Sequence, residues 1–314
     1  MKISNGASLK SAIEINPEKT SQLLENFIRE YVRKLEREGV VLGLSGGIDS
    51  AVAASLCQKA VGQDKVLALI MPEKDSDPRQ KEDALSLAEQ LKIKTRIINL
   101  SPYLKKFGIY GLLPFYRLPL TRGLKGSLTR KLYDLYTKKT GQNPFLASQI
   151  GFKNGKLKLY LKNANAYYRI KHRLRSLLLY FYSELENRLV VGTTNKTEYK
   201  IGFFVKWGCD SVSDIMPLQN FYKTQIRELA RYLKIPNSIL EKPPSPDIIP
   251  GITDEKAIGV SYDIVDLILA GLEKNWEISE IAKACNLSKE KVLYVKKLTE
   301  NSEHMRKIFV FNHD

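Results

Sequence analysis

The residues with the most specific chemistry in this chain are consecutive: Ser45, Gly46, Gly47, Ile48, Asp49 and Ser50. They follow an apolar run, Val40 to Leu44, that lacks polar alternation and so reads as a strand buried on both faces. A stretch of helix-forming composition, Ala51 to about Ala60, comes next. Strand, small-residue loop and helix together make a cradle for phosphate. Gly46 and Gly47 let the backbone approach an anion, and the free N–H groups and dipole of the helix start favour negative charge. The loop lacks the Gly-Lys-Ser/Thr of a Walker motif and the spacing of a dinucleotide fingerprint. A carboxylate, Asp49, stands where an anion site would want a cation, which makes sense if Asp49 holds a magnesium ion that in turn holds phosphates. Taken alone, two glycines and a helix-capping Asp would suit an ordinary tight turn; the whole string after a buried strand favours the phosphate site.

A second carboxylate joins it through the fold that the pattern implies. Buried runs at Val66–Ile70, 95–100 and 189–193 alternate with helical stretches at 13–38, 81–91, 165–186 and 221–233. That order predicts an α/β chain, a doubly wound parallel sheet with helices on both faces. In such sheets ligands bind beyond the carboxyl ends of the strands. Thr193 and Glu198, just past the fourth strand, should therefore share a crevice with Asp49. Lys223 stands in the first turn of the 221–233 helix. The polar stretch 73–80 reads as a mobile loop. Pro-rich 241–246 is a stiff loop with one hydroxyl, Ser245.

The expected arrangement is one domain over 13–307, with a helical part from 262 to 307 and a basic insertion at 103–162. The net charge is +16, and the segment from Lys105 to Lys162 holds thirteen Lys or Arg against one acid, Asp134. Within it Lys156–Leu161 alternates like a strand. The segment suits either a solvated basic excursion or a lid for an anionic partner, the former being favoured. Residues 278–292 resemble a helix-turn-helix, for which two packed helices at the end of an enzyme is the preferred reading. Four cations, Arg169, Lys171, Arg173 and Arg175, crowd what looks like the start of the 165–186 helix, against its dipole, and hint at an anion nearby. Three scattered cysteines give no disulfide framework or zinc spacing. No leader-like or membrane-spanning run is evident, and a cytoplasmic location is the default.

The string Ser45–Ser50 resembles the pyrophosphate loop of the N-type ATP pyrophosphatases. Further pieces follow in one family's order: Arg169–Arg175, Val191–Glu198, Gly202–Lys206, Asp214, Lys223, Lys242–Ser245 and Glu303-His304. Together they resemble the ammonia-dependent NAD synthetases, outside roughly 103–162. The resemblance implies amidation of deamido-NAD with ammonia through an adenylated carboxylate, giving NAD, AMP and pyrophosphate. It implies that Gly43, Leu44, Ser45, Gly46, Gly47, Ile48, Asp49 and Ser50 bind the ATP phosphates, with Thr193, Lys223 and Ser245 also on ATP. Asp49 and Glu198 would bind magnesium, and Arg173, Lys206, Asp214 and His304 would contact deamido-NAD. Asp49, Glu198 and Lys223 would carry the chemistry. A homodimer is implied, with ammonia free or supplied by a separate glutaminase chain. Before Asp214 this chain reads Gly208-Cys209-Asp210-Ser211-Val212-Ser213, and Met305 follows His304.

Two alternatives stay open. The same loop chemistry could serve another acceptor, an acid, a sugar or a tRNA base, and the basic insertion motivates the tRNA version. A nucleic-acid-binding regulator on a dead enzyme core would need a degraded pyrophosphate loop, and this one is intact. Nucleic acid is therefore not the expected partner.

Overall fold

Asn16 caps the first helix, α1 (Pro17–Lys34), by accepting from the Lys19 N–H at 2.9 Å, with Pro17 preset for the first turn. The computed structural model describes residues 9–113, 121–150, 157–245 and 251–311. The chain continues through β1 (Gly39–Gly43), α2 (Ile48–Val61), β2 (Val66–Ile70), α3 (Pro78–Gln90), β3 (Lys94–Ile97) and α4 (Ser101–Lys106). Then come α5 (Arg122–Thr140), α6 (Pro144–Ile150), α7 (Leu157–Leu185) and β4 (Arg188–Val190). The last part holds α8 (Lys196–Ile201), α9 (Lys223–Tyr232), α10 (Asp254–Ile258), α11 (Tyr262–Glu273), α12 (Ile278–Ala284) and α13 (Lys289–Asn301).

The described strands form one parallel sheet in the order β3-β2-β1-β4. Strand side chains alternate between its faces. Val40 and Leu42 join Leu24 and Ile28 of α1, the apolar side of α2, and Ile226 and Leu229 of α9. Val41, Leu67, Leu69 and Val190 face the other way, onto Leu179 of α7 and Leu104 of α4. Val40, Val41 and Leu42 are fully buried, each contributing about 1.5–3 kcal/mol. This is the expected doubly wound α/β sheet. The chain leaves β1 toward β2 and later returns to β1's other side as β4, so the switch point lies between β1 and β4. The loops after these two strands carry Asp49 and Glu198. A separate core joins α11, α12 and α13, with Val265, Ile268, Ile281, Val292 and Leu298 buried, as two packed helices require.

Four expectations need correction. The third strand is not buried: β3 ends at Ile97 and is an exposed edge, charged at Lys94 and Arg96. Of Lys156–Leu161, Lys156 lies outside the described residues and the rest begins α7, not a strand. Leu161, Ala164, Tyr168 and His172 recur at helical spacing and line one cavity, a pattern that outweighs the short alternation. Because α7 begins at Leu157, the four cations are mid-helix and the dipole argument does not apply. Lys171 is instead buried between Glu73 and Asp75, 2.9 Å from each, with its ammonium over the Tyr167 ring. The 73–80 stretch is therefore pinned at its start rather than free, and α3 begins at Pro78. Within the basic insertion, 114–120 and 151–156 lie outside the described residues, as does Pro246 of the Pro-rich loop.

Candidate active site

The turn after β1 is built by side-chain hydroxyls. Ser50 Oγ accepts from the Ser45 N–H at 3.2 Å and donates to the Gly47 carbonyl at 2.9 Å; Gly47 N–H donates to Ser45 Oγ at 3.2 Å. Gly46 has φ +77°, and a Cβ there would lie 2.1 Å from the Gln80 carbonyl oxygen, so only glycine fits. Lys242 clamps the loop from outside, donating to the Gly46 carbonyl at 3.1 Å and pairing with Asp83. The loop ends on the start of α2, whose unpaired N–H groups open onto a crevice of about 250 Å³.

Lys223 closes that crevice from behind. Its Nζ lies 2.5 Å from Asp49 Oδ2 and 3.2 Å from Glu198 Oε1, and its side chain is almost fully buried. Local structure fixes all three residues. Asn195 caps α8, accepting from the Glu198 N–H at 3.0 Å, while its side-chain amide donates to Asp49 Oδ1 at 2.8 Å. Glu198 Oε2 accepts in return from the Asn195 N–H at 3.4 Å, completing a capping box. Lys223 opens α9, and its N–H donates to Thr197 Oγ1 at 2.9 Å. The Thr197 hydroxyl donates to buried Asp266 of α11, which also accepts from the Thr224 N–H. One buried carboxylate thus ties together the starts of the two helices that present Glu198 and Lys223.

The electrostatics are lopsided. Asp254, fully buried at the start of α10, adds a third carboxylate; Tyr262 donates to its Oδ2 at 2.9 Å, while Oδ1 is buried with no hydrogen bond. Burial raises Glu198 to about 8 against the pull of Lys223, and neighbouring Asp49 and Asp254 push the same way. Burial also raises Asp254, to about 6. For Lys223 burial opposes the charge, but Asp49, Glu198 and Asp254 outweigh it and hold the ammonium well above the usual lysine range. Three acids around one lysine, with one orphaned oxygen, fit an additional cation.

Gly43 to Ser50, Thr193, Glu198, Lys223 and Ser245 all line this one crevice. Sequence reasoning did not single out Asn195, Lys242, Asp254 or Asp210 as site residues. Asn195 carried a signal, lying in the polar stretch right after a strand; Asp254 carried none, because only tertiary packing brings α10 to the sheet. The residues assigned to the acceptor lie elsewhere. Arg173 donates to the Lys206 carbonyl at 3.3 Å, and Lys206 Nζ donates to the carbonyls of His304 and Lys307, each at 2.7 Å. These three residues cluster at the surface outside the crevice, with Arg173 and His304 exposed and Lys206 half-buried. Asp214 is apart from them, accepting from the Val190 N–H at 2.8 Å and from the Tyr180 hydroxyl at 3.2 Å.

A family model described as NAD synthase matches residues 20–110 and 144–308. The chain belongs to the NAD synthase family. Every crevice residue named above lies in the matched segments, whereas α5 falls between them. Among relatives in this family, an NH3-dependent NAD+ synthetase of Coprothermobacter proteolyticus is 44% identical over 255 residues, 81% of this chain and 84% of its own. Solved structures superpose on this fold. An NMN synthetase from Francisella tularensis is 29% identical with a TM-score of 0.70, covering 96% of this chain and all of its own. An NH3-dependent NAD synthetase from Campylobacter jejuni, in complex with nitrate, is 26% identical with a TM-score of 0.63, again covering 96% and 100%.

Proposed function

We propose that this chain is an ammonia-dependent NAD synthetase, a ligase that adenylates the carboxylate of deamido-NAD with ATP and amidates it with ammonia. The observation that carries the reading is Lys223, buried between Asp49 and Glu198 at the back of the crevice onto which the glycine-bearing anion loop opens. A carboxylate does not react with ammonia, because hydroxide is a poor leaving group; adenylation replaces it with AMP. The turn at residues 45–50 and the start of α2 bind the phosphates, and Lys223 balances charge as pyrophosphate leaves. Thr193 and Ser245 contact ATP from the crevice walls, and Lys242 fixes the loop that holds it. Asp49 and Glu198, with Asp254 beside them, are the residues that hold magnesium; when bound it offsets phosphate charge as a Lewis acid.

Arg173, Lys206 and His304 bind the acceptor from the surface cluster, Lys206 by holding the turn that presents His304; Asp214 joins them as the fourth acceptor residue. A homodimer fits this placement. Leu177, Phe181 and Leu185 are more than half exposed at four-residue spacing on α7, and Arg173 continues the same stripe. The acceptor cation therefore borders the face that a second copy would cover. Ammonia arrives free or from a separate glutaminase. Among the described residues no helix is long and apolar enough to cross a membrane, and we place the enzyme in the cytoplasm.

The test is pyrophosphate release from ATP with ammonia present, comparing deamido-NAD, nicotinate mononucleotide and tRNA as acceptors. The mononucleotide is included because one structural relative is an NMN synthetase. Release driven by deamido-NAD above the other two supports the assignment. Release driven by tRNA or the mononucleotide, with none from deamido-NAD, overturns the acceptor.

A further inference from the structure

His172, Cys209 and Asp210 converge at one wall of the crevice, where none of the roles above uses them. Cys209 Sγ lies 3.6 Å from His172 Nδ1 and 3.4 Å from Asp210 Oδ1, and His172 Nδ1 lies 3.0 Å from that same oxygen. A thiolate, an imidazole and a carboxylate bound to one tetrahedral zinc at ordinary bond lengths stand about 3.3–3.6 Å apart. The three side chains, held together by their own hydrogen bonds and a His172–Asp210 pair at 2.8 Å, are thus within a few tenths of an ångström of a three-ligand tetrahedral set through Oδ1. From this convergence we propose that His172, Cys209 and Asp210 form a binding site for a borderline-soft divalent cation of the zinc class, with a fourth position open to the crevice.

The cluster is preformed by the backbone. The Cys209 N–H donates to the His172 carbonyl at 3.2 Å, locking the 205–212 turn onto α7. A Cβ on Gly208 would lie 2.9 Å from both the His172 and Val205 Cβ atoms, so glycine is what allows the turn to approach the helix this closely. Asp210 Oδ2 accepts from the Val205 N–H at 3.3 Å and lies 2.8 Å from His172 Nδ1, while Oδ1 faces both Cys209 Sγ and His172 Nδ1, so the carboxylate is held against the other two ligands. All three residues line the crevice, and His172 and Asp210 also line an apolar cavity of about 420 Å³ behind it. The ligand set, one sulfur, one nitrogen and one oxygen, selects zinc over magnesium, which prefers six oxygens.

Binding has a defined proton balance. Burial and Asp210 hold the Cys209 thiol well above its usual range, so it starts protonated at neutral pH. The cation takes the thiolate and the His172 Nδ1 lone pair, so the proton that Nδ1 donates to Asp210 in the metal-free fold must leave that nitrogen, and the bound imidazole carries its proton on Nε2. The Cys209 S–H proton goes to solvent, the Nδ1 proton is displaced from that nitrogen, and the ion's two positive charges meet one thiolate and one carboxylate. Affinity therefore rises with pH.

The experiment is titration of chelator-treated full-length protein with cobalt(II) alone. A sulfur-to-cobalt charge-transfer band with intense tetrahedral visible bands, saturating at one ion per chain, is expected. Cys209→Ser should lose the charge-transfer band and bind cobalt more than about tenfold more weakly. His172→Gln, which keeps every thiol, should weaken binding similarly, and Asp49→Asn should leave the spectrum unchanged. Absence of the band in the wild-type protein overturns the site, as does a band that persists in Cys209→Ser and so belongs to Cys57 or Cys285. The measurement needs no turnover, so its failure is distinguishable from failure of the amidation reading.

Discussion

Asp49 and Glu198 are 149 positions apart in the chain yet touch the same ammonium. If they act on the phosphates through it and through magnesium, Asp49→Asn should lower the rate of pyrophosphate release at least about a hundredfold. The variant should still melt cooperatively, since Glu198 continues to pair with Lys223; pyrophosphate release at the wild-type rate would remove Asp49 from the site. Glu198 also makes a pH prediction. Its carboxyl is ordinarily near 4.5 and is raised to about 8 by burial, so between those values the folded protein holds a proton that the unfolded chain releases. The stabilisation is complete below about 4.5 and is lost as pH rises through about 8. Asp254 and Asp266, each raised to about 6, act in the same direction. Melting temperature of the metal-free protein should therefore fall from mildly acid to mildly alkaline pH, and Glu198→Gln should flatten the upper part of that fall. A wild-type melting temperature independent of pH across this range would show that Glu198 is not held neutral. At this scale the sequence was legible where chemistry and backbone demand coincide, as at Gly46 and Asp49. Asp254 was not legible, because nothing local distinguishes it from a surface helix-start acid.

Elements were read well where periodicity and burial agree, as in β1, β2 and α1 with its Asn16-Pro17 start. They were misread where a tertiary partner decides. Glu73 and Asp75 look like solvated loop acids, and only the fold brings buried Lys171 of α7 between them. Lys125 of the insertion approaches Asp75 at 4.0 Å as a second cation, leaving the cluster near charge balance. Removing one member of a buried ionic group leaves the others uncompensated. Lys171→Met should thus destabilise the protein by about 3–5 kcal/mol, measured by denaturant unfolding. A loss below about 1 kcal/mol would mean that the 73–75 stretch is wetter than described. The acceptor cluster makes a softer prediction. Lys206→Ala removes two hydrogen bonds from a cation to the 304–307 turn and should raise KM for deamido-NAD by about ten- to a hundredfold, with KM for ATP nearly unchanged. Equal effects on both would detach Lys206 from the acceptor.

For the whole molecule, the net charge of +16 is misleading if taken as a nucleic-acid signature. Parts of the basic insertion are structural. Tyr133 donates to the Ala257 carbonyl, Lys256 pairs with Asp134 at 2.6 Å, and Gly251 packs against Gly126, so α5 docks on the segment that carries Asp254. This docking was not readable from composition, since it depends on which surface the insertion covers. A dimer through the α7 stripe is part of the proposal, and on it Phe181→Arg should yield monomers by sedimentation. A crevice with one lysine among three carboxylates drives adenylation and then amidation. Counting products from the purified protein with ATP, magnesium, deamido-NAD and ammonia decides whether it does. NAD, AMP and pyrophosphate should form in equal amounts. ADP and inorganic phosphate in their place, or ATP consumed to AMP with no NAD formed, would contradict this.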